Sequence, residues 1–316
     1  MPSLRPARDY IPMMRVLLLV NAVASSVTPR KQVQIRKVLS AHHDVEVAQT
    51  SRRGHATRLA HAAVHDGFDV VAVYGGDGTL NEAAEGMLHS ATAVVPLPGG
   101  STNVYARTLG YPNDALRAAE MLVASLDRVA TKRIGVGTAN RRPFLFTAGV
   151  GFDAAVIRRV ERYGRLKRHL SHPLHVVAAF EAFFRHDGTR TSVNMELDSG
   201  EVIEGVRFAI VSKADPYTFL GRIPLRVAPS ATVDSPLCLT AFRSLDAATL
   251  LGGAVSSMRK GEFLAEREGV DHRTDVHRII VRSAEPFSYE VDGENVGNTE
   301  LLDFDFVPDA LTIVVP

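Results

Sequence analysis

The chain has 316 residues, 46% of them hydrophobic, which is enough for about two domains with a core each. Lys plus Arg is 36 against 35 for Asp plus Glu, a formal charge of +1, so the basic excess of a strong nucleic-acid binder is missing and no nucleic-acid partner is expected. The single Cys238 rules out an internal disulfide and suits a reducing cytoplasm, and no run approaches the roughly 18 apolar residues of a membrane span.

In chain order, residues 1–13 read as a loose leader and the apolar run 16–20 as a first strand, followed by Asn21. Thr28 and Pro29 have the character of N-cap and first residue of a helix reaching about Ser40. Val45 and Val47 alternate with polar residues in a second strand that ends at Thr50. Residues 54–65 form a helix with Leu59, Ala62 and Ala63 expected inward.

Residues 70–74, Val-Val-Ala-Val-Tyr, read as a strand covered on both faces. Gly75, Gly76, Asp77, Gly78 and Thr79 follow, and Leu80, Ala83, Ala84, Met87 and Leu88 then repeat with helical period. Thr79 and Glu82 have capping-box spacing, and Gly75, Gly76 and Gly78 remove side chains and permit positive φ, so backbone donors can approach an anion closely. The turn lacks the lysine of a Walker loop and the spacing of a dinucleotide fingerprint. Asp77 lies where phosphate would sit, and two negative charges in contact call for a cation between them. Mg²⁺ with a nucleoside triphosphate meets that need, and a tight turn in which Asp77 satisfies backbone N–H groups is the alternative.

A second copy of the design follows. Residues 93–97 are another apolar run, succeeded by Pro98-Gly99-Gly100-Ser101-Thr102-Asn103 and a helix over 104–109. A helix over 113–126 buries Leu116, Ala119, Leu122, Val123 and Leu126. Strand and helix thus alternate through the first third, which argues for a doubly wound α/β domain with ligands at the carboxyl ends of its strands.

From Thr131 the texture becomes β-rich, with short strands expected over 131–136, 144–148, 191–197, 201–204, 206–211, 237–242, 277–282 and 287–291. Helices are expected near 154–162, 173–185 and 247–260. Asp198-Ser199-Gly200 reads as a hairpin turn, and so does Asp292-Gly293. Arg158, Arg159, Arg162, Arg165, Lys167 and Arg168 make a basic run. The twelve histidines, among them His42, His43, His55, His61 and His65, form no metal set and are expected at the surface.

Gly-Gly-Asp-Gly-Thr-Leu-Asn-Glu at 75–82 and Pro-Gly-Gly-Ser-Thr-Asn-Val-Tyr-Ala-Arg at 98–107, in that order and spacing, resemble the diacylglycerol kinase catalytic family, which includes bacterial lipid kinases and sphingosine kinases. The resemblance implies an α/β nucleotide-binding domain over 14–135, rejoined by a returning strand within 308–316, and a β-sandwich substrate domain over 136–307. It implies ATP and Mg²⁺ as cofactors and phosphoryl transfer to a hydroxyl of diacylglycerol or a related lipid. The partner would be a lipid at a membrane surface, reached peripherally from the cytoplasm. Oligomeric state is not readable, and a homodimer is compatible with the sequence. The rival readings are an NAD kinase-like enzyme, which shares Gly-Gly-Asp-Gly, and a nucleotide-binding regulator without catalysis.

The same resemblance assigns roles to residues. Nucleotide contacts fall on Asn21 and Thr50, on Gly75, Gly76, Asp77, Gly78, Thr79, Asn81 and Glu82 of the first turn, and on Gly100, Ser101, Thr102 and Asn103 of the second. Glu294, in Asp292-Gly293-Glu294, would lie near the nucleotide. Asp292 would accept the proton of the alcohol, with Asp77 organising Mg²⁺ and phosphate or itself acting as the base. The segment 229–237 resembles one in which an aspartate and two carbonyls hold a structural Mg²⁺, matched here by Asp234, Ala231 and Pro236. In this chain Ser235-Pro236 replaces the usual glycine-led turn. Gly149 to Ala154 resembles a segment beside the cleft and makes Asp153 a candidate, while Arg162, Arg165 and Arg168 are candidates for phosphate or anionic lipid.

Overall fold

The computed structural model describes residues 13–151, 192–221, 223–244 and 269–316. The chain divides into two compact units, one running to Arg133 and taking in Leu311–Pro316, the other spanning Ile134–Ala310.

Unit one is built from four parallel strands: β1 (Arg15–Val20), β2 (Asp44–Gln49), β3 (Val70–Gly75) and β4 (Ala93–Pro98), in the spatial order β2-β1-β3-β4. The end of the chain adds a further parallel partner, with Thr312 opposite Ala93 and Ile313 opposite Val94. β3 and β4 are buried at every residue, as their unbroken apolar runs require of strands covered on both faces. Helices α1 (Pro29–Ser40) and α5 (Ala115–Asp127) pack together, and Ile35, Leu39, Ala119 and Leu122 share a core with Val16, Leu18, Val70 and Ala72. Helices α2 (His55–His65) and α3 (Asp77–Glu85) form a second pair. The short α4 (Val104–Thr108) follows the second glycine turn.

Local chemistry accounts for the helix starts. Thr28 Oγ1 accepts from the Lys31 N–H at 3.3 Å with Pro29 at the first position, and Asp114 Oδ1 accepts from Leu116 and Arg117 N–H at 3.1 Å. The α2 face differs from the expected one: Ala56, Ala60 and Ala63 are buried, whereas Ala62 is exposed and Leu59 only half-buried. A small-residue face lets α2 approach α3 closely. His43 also departs from expectation, since it is buried and burial pushes its pKa down.

Unit two is strand-rich. β5 (Thr131–Ala139) pairs with β6 (Arg142–Phe144), and β7 (Thr147–Val150) follows. β8 (Val193–Leu197) and β9 (Val202–Val206) form a hairpin whose turn at Asp198-Ser199-Gly200 is the one expected. β10 (Phe208–Ser212), the small pair β11 (Thr218–Leu220) and β12 (Ile223–Leu225), β13 (Leu237–Phe242) and β14 (Val270–Val276) come next. The chain ends in a long hairpin, β15 (Arg278–Val291) and β16 (Glu294–Val314), where only short strands are expected from sequence. β15 carries two strand sets: Ile279–Arg282 pair with β8, and Tyr289–Val291 pair with β7, which leads on through β10 and β13 to β14. Alternate residues of both sets, such as Met195 and Leu197 with Ala148, Val211 and Leu239, enter one apolar cluster.

Candidate functional site

In unit one the chain leaves β1 for β2 on one side and returns to β3 on the other, so the carboxyl ends of β1 and β3 flank a topological switch point. Asn21, the residue after β1, bridges it. Its backbone N–H donates to the Tyr74 carbonyl at 3.0 Å, and its Nδ2 donates to Thr79 Oγ1 at 2.8 Å. Thr50 closes β2 with its N–H on the Val20 carbonyl at 2.9 Å.

The two glycine turns are stacked backbone on backbone. Gly99 N–H donates to the Gly75 carbonyl at 2.8 Å, and a Cβ on Gly99 would sit 2.9 Å from Gly75 N and Cα. A Cβ on Gly100 would meet Gly76 Cα at 2.8 Å. None of Gly75, Gly76, Gly78, Gly99 and Gly100 has positive φ. Close approach is therefore what requires Gly75, Gly99 and Gly100, while a Cβ on Gly76 would make only ordinary contact and one on Gly78 would meet nothing; the positive φ that glycine permits is not used at any of them.

The expected capping box does not form either. α3 starts at Asp77 with Gly76 as its N-cap, and no side chain caps that end. Thr79 lies inside the helix and receives Asn21, while Glu82 Oε2 accepts the Ala56 N–H at 3.3 Å and so caps α2. Asp77 points across to the second turn, where Oδ2 accepts from Val104 N–H at 3.0 Å, Oδ1 from Tyr105 N–H at 3.2 Å, and Thr102 Oγ1 donates at 3.4 Å. It thus ties one glycine turn to the start of α4. Burial raises its pKa against these hydrogen bonds. Asn103 adopts positive φ (49°) and folds its amide onto Gly100, accepting its N–H at 2.8 Å. Ser101 and Gly78 are exposed, and Asn81 Oδ1 is buried with no protein partner among the described residues.

In unit two, Asp292 and Gly293 form a two-residue turn between Val291 and Glu294, both with positive φ (49° and 79°). The Asp292 carboxylate accepts backbone N–H groups from Leu145, Phe146 and Thr147, each at 3.0 Å. A residue expected to take a proton from substrate therefore also holds the β6–β7 connection in place. Glu294 pairs with Arg142 at 2.5 Å. Arg142 is absent from the sequence reading, because nothing local announces a partner 152 residues away.

Residues 15–138 match the family described as diacylglycerol kinase catalytic domain. The chain is 26% identical to a diacylglycerol kinase of Bacillus subtilis (strain 168) over 267 residues, 83% of each chain. It is 30% identical to a diacylglycerol kinase of Staphylococcus aureus (strain JH9) over 119 residues, 36% of each. Residues 15–138 therefore carry a domain of the diacylglycerol kinase catalytic family. In fold it is similar to the crystal structure of a diacylglycerol kinase from Bacillus anthracis str. Sterne, with a TM-score of 0.72 at 21% identity over 96% of this chain and 97% of that one.

The turn expected to hold a structural Mg²⁺ lies in unit two. Asp234 is exposed, and Thr232 and Ser235 close the turn on themselves: Thr232 Oγ1 accepts the N–H groups of Asp234 and Ser235, and Ser235 Oγ donates to the Thr232 carbonyl at 3.1 Å. The Thr232 and Val233 carbonyls, between the expected ligands Ala231 and Pro236, receive the ammonium of Lys213 at 3.4 and 2.9 Å. No group of three metal-type side chains occurs among the described residues. The turn thus already holds one cation, on the two carbonyls that lie between the expected ligands Ala231 and Asp234, and a divalent ion fits poorly beside it.

Asp153, Arg162, Arg165 and Arg168, the rest of the basic run and the three helices expected near 154–162, 173–185 and 247–260 lie outside the described residues. Among the described residues no helix is long and apolar enough to cross a membrane.

Proposed function

We propose that the chain is a kinase that transfers the γ-phosphoryl group of ATP to a hydroxyl of diacylglycerol or a related lipid. The observation that carries this reading is the stacked pair of glycine turns at a switch point, above a helix whose first turn has no side-chain cap. Uncapped N–H groups and the helix dipole favour an anion there, and the exposed Gly78 and Ser101 leave room for phosphate oxygens.

When bound, Mg²⁺ neutralises charge on the β- and γ-phosphates during transfer. Asn81, on α3 next to the first glycine turn, is the oxygen donor that would help hold it, and its buried, unpartnered Oδ1 fits such a hard cation. The acceptor alcohol must also lose a proton. Burial makes Asp77 more basic than an ordinary aspartate, whereas three backbone donors stabilise the ionised form of Asp292. We therefore assign the base to Asp77, and to Asp292 the positioning of the β6–β7 connection. The lipid would be met at a cytoplasmic membrane surface, with Arg162, Arg165 and Arg168 contributing attraction to anionic headgroups.

The test is transfer of labelled γ-phosphate from ATP to a panel of lipids in mixed micelles, with NAD in the same panel. Label on diacylglycerol or a related lipid alcohol is expected. Label on NAD alone, or on nothing, would overturn the reading.

A further inference from the structure

Lys213 is the residue after β10, and it is 2% exposed despite carrying a charge. Charged side chains are almost never buried to that degree without partners. Its partners are known. The ammonium donates to the Val233 carbonyl at 2.9 Å and to the Thr232 carbonyl at 3.4 Å, lies 5.6 Å from the Phe306 ring centre, and is attracted by Asp234. Register explains how it gets there: β10 pairs with β13 so that Ser212 lies opposite Cys238, which brings the next residue beside the turn leading into β13.

The lysine and the turn form one electrostatic unit. Two carbonyl dipoles of the turn point at the ammonium and the Asp234 charge attracts it, so the positive charge sits among the kind of oxygen donors a hard cation would use. A divalent ion on Asp234 and the carbonyls of Ala231 and Pro236 would share this short turn with the ammonium, and two cations so close repel strongly.

We propose that Lys213 is a built-in cation that replaces a divalent metal at the turn 231–236, so that this part of the fold is complete without metal. The inference does not depend on the kinase reading. Any requirement of the protein for Mg²⁺ then comes from the nucleotide alone. The geometry also explains the Ser235-Pro236 sequence: a turn that no longer wraps a metal can close through its own Thr232 and Ser235 hydroxyls.

The test uses thermal unfolding of the full chain without nucleotide, in EDTA, in millimolar Mg²⁺ and in millimolar Ca²⁺. For the unmodified protein the midpoint should be the same in all three. Lys213→Ser, which removes the charge and leaves space, should lower the midpoint and make it rise with Mg²⁺ or Ca²⁺, and adding Asp234→Asn should abolish that rise. A metal-dependent rise in the unmodified protein that Asp234→Asn removes would overturn the proposal. So would a folded Lys213→Ser variant whose midpoint ignores metal. If Lys213→Ser does not fold, the comparison of the unmodified protein with Asp234→Asn decides alone, since it reads the presence of a metal site directly.

Discussion

The dipeptide Asp-Gly occurs at 77–78 in unit one and at 292–293 in unit two, and in both places the carboxylate reaches out to collect backbone donors from a distant segment. The settings differ. Asp77 and Gly78 open a helix, with ordinary negative φ, and the carboxylate joins two glycine turns that touch through their backbones. Asp292 and Gly293 make a hairpin turn with positive φ at both positions, in open space. One motif joins two closely packed backbone turns and the other reverses the chain, so identical dipeptides do different physical work.

Removing the two carboxylates should separate these roles most clearly. Asp292→Ala leaves three N–H groups of the buried Leu145–Thr147 stretch without an acceptor and should cost about 3 kcal/mol of stability in denaturant unfolding, with ATP affinity nearly unchanged. Asp292→Asn should lose much of the same stability, because its amide NH₂ would face backbone donors. Asp77→Asn also turns an amide toward backbone donors, at Val104 and Tyr105, but its distinguishing effect should be a kcat lowered by about 10²-fold or more in protein that still folds. If Asp292→Asn proves stable but inactive while Asp77→Asn turns over normally, the assignment of the base reverses.

Asp215 offers a third carboxylate for contrast, buried against the Arg226 guanidinium. Burial pushes its pKa up to about 6, with Arg226 opposing. Because the folded-state value lies above the unfolded one, the folded protein keeps this proton longer. The group's contribution to stability is therefore full below about pH 4 and is lost as pH rises through about 6, a change of roughly 2–3 kcal/mol. Asp215→Asn should flatten stability across that window, measured by unfolding at fixed pH values. An unchanged slope would show that Arg226 outweighs burial.

The glycines should rank next. Gly99→Ala puts a Cβ 2.9 Å from Gly75 backbone atoms and should cost about 1–3 kcal/mol together with most of the ATP affinity. Gly293→Ala meets nothing, so its cost is the left-handed φ alone, about 1 kcal/mol, with no change in ATP affinity by calorimetry. Smallest of all, Arg142→Ala removes a half-exposed partner of Glu294 and should change stability by less than about 1 kcal/mol. A larger loss there would mean that the hairpin depends on the ion pair and not on Asp292.

Much of unit one was legible because its signals are local. Thr28-Pro29 starts a helix through φ and a hydroxyl, the apolar runs at 70–74 and 93–97 make strands buried on both faces, and the order strand, glycine turn, helix appears twice. The α2 face is not legible in the sequence, because Leu59 and Ala62 fit a helical period with Ala63 as well as Ala56 and Ala60 do, and only the packing of α2 on α3 selects between them. The long β15–β16 hairpin was read as short pieces, since each strand is interrupted by polar residues that face outward.

What the sequence determined by itself is the set of elements and turns whose physics spans a few residues: helix caps, buried strands, the paired glycine turns and the Asp-Gly reversal. Tertiary structure alone decided what each polar side chain does. Thr79 became an acceptor for Asn21 instead of a cap, Glu82 capped a different helix, Arg142 found Glu294, and Lys213 took two carbonyls of the turn where a metal was expected. The reason is range. A backbone preference is set by neighbours along the chain, but a buried charge or hydrogen-bonding group is satisfied by whatever the fold brings within about 3 Å of it, and sequence separation carries no information about that distance.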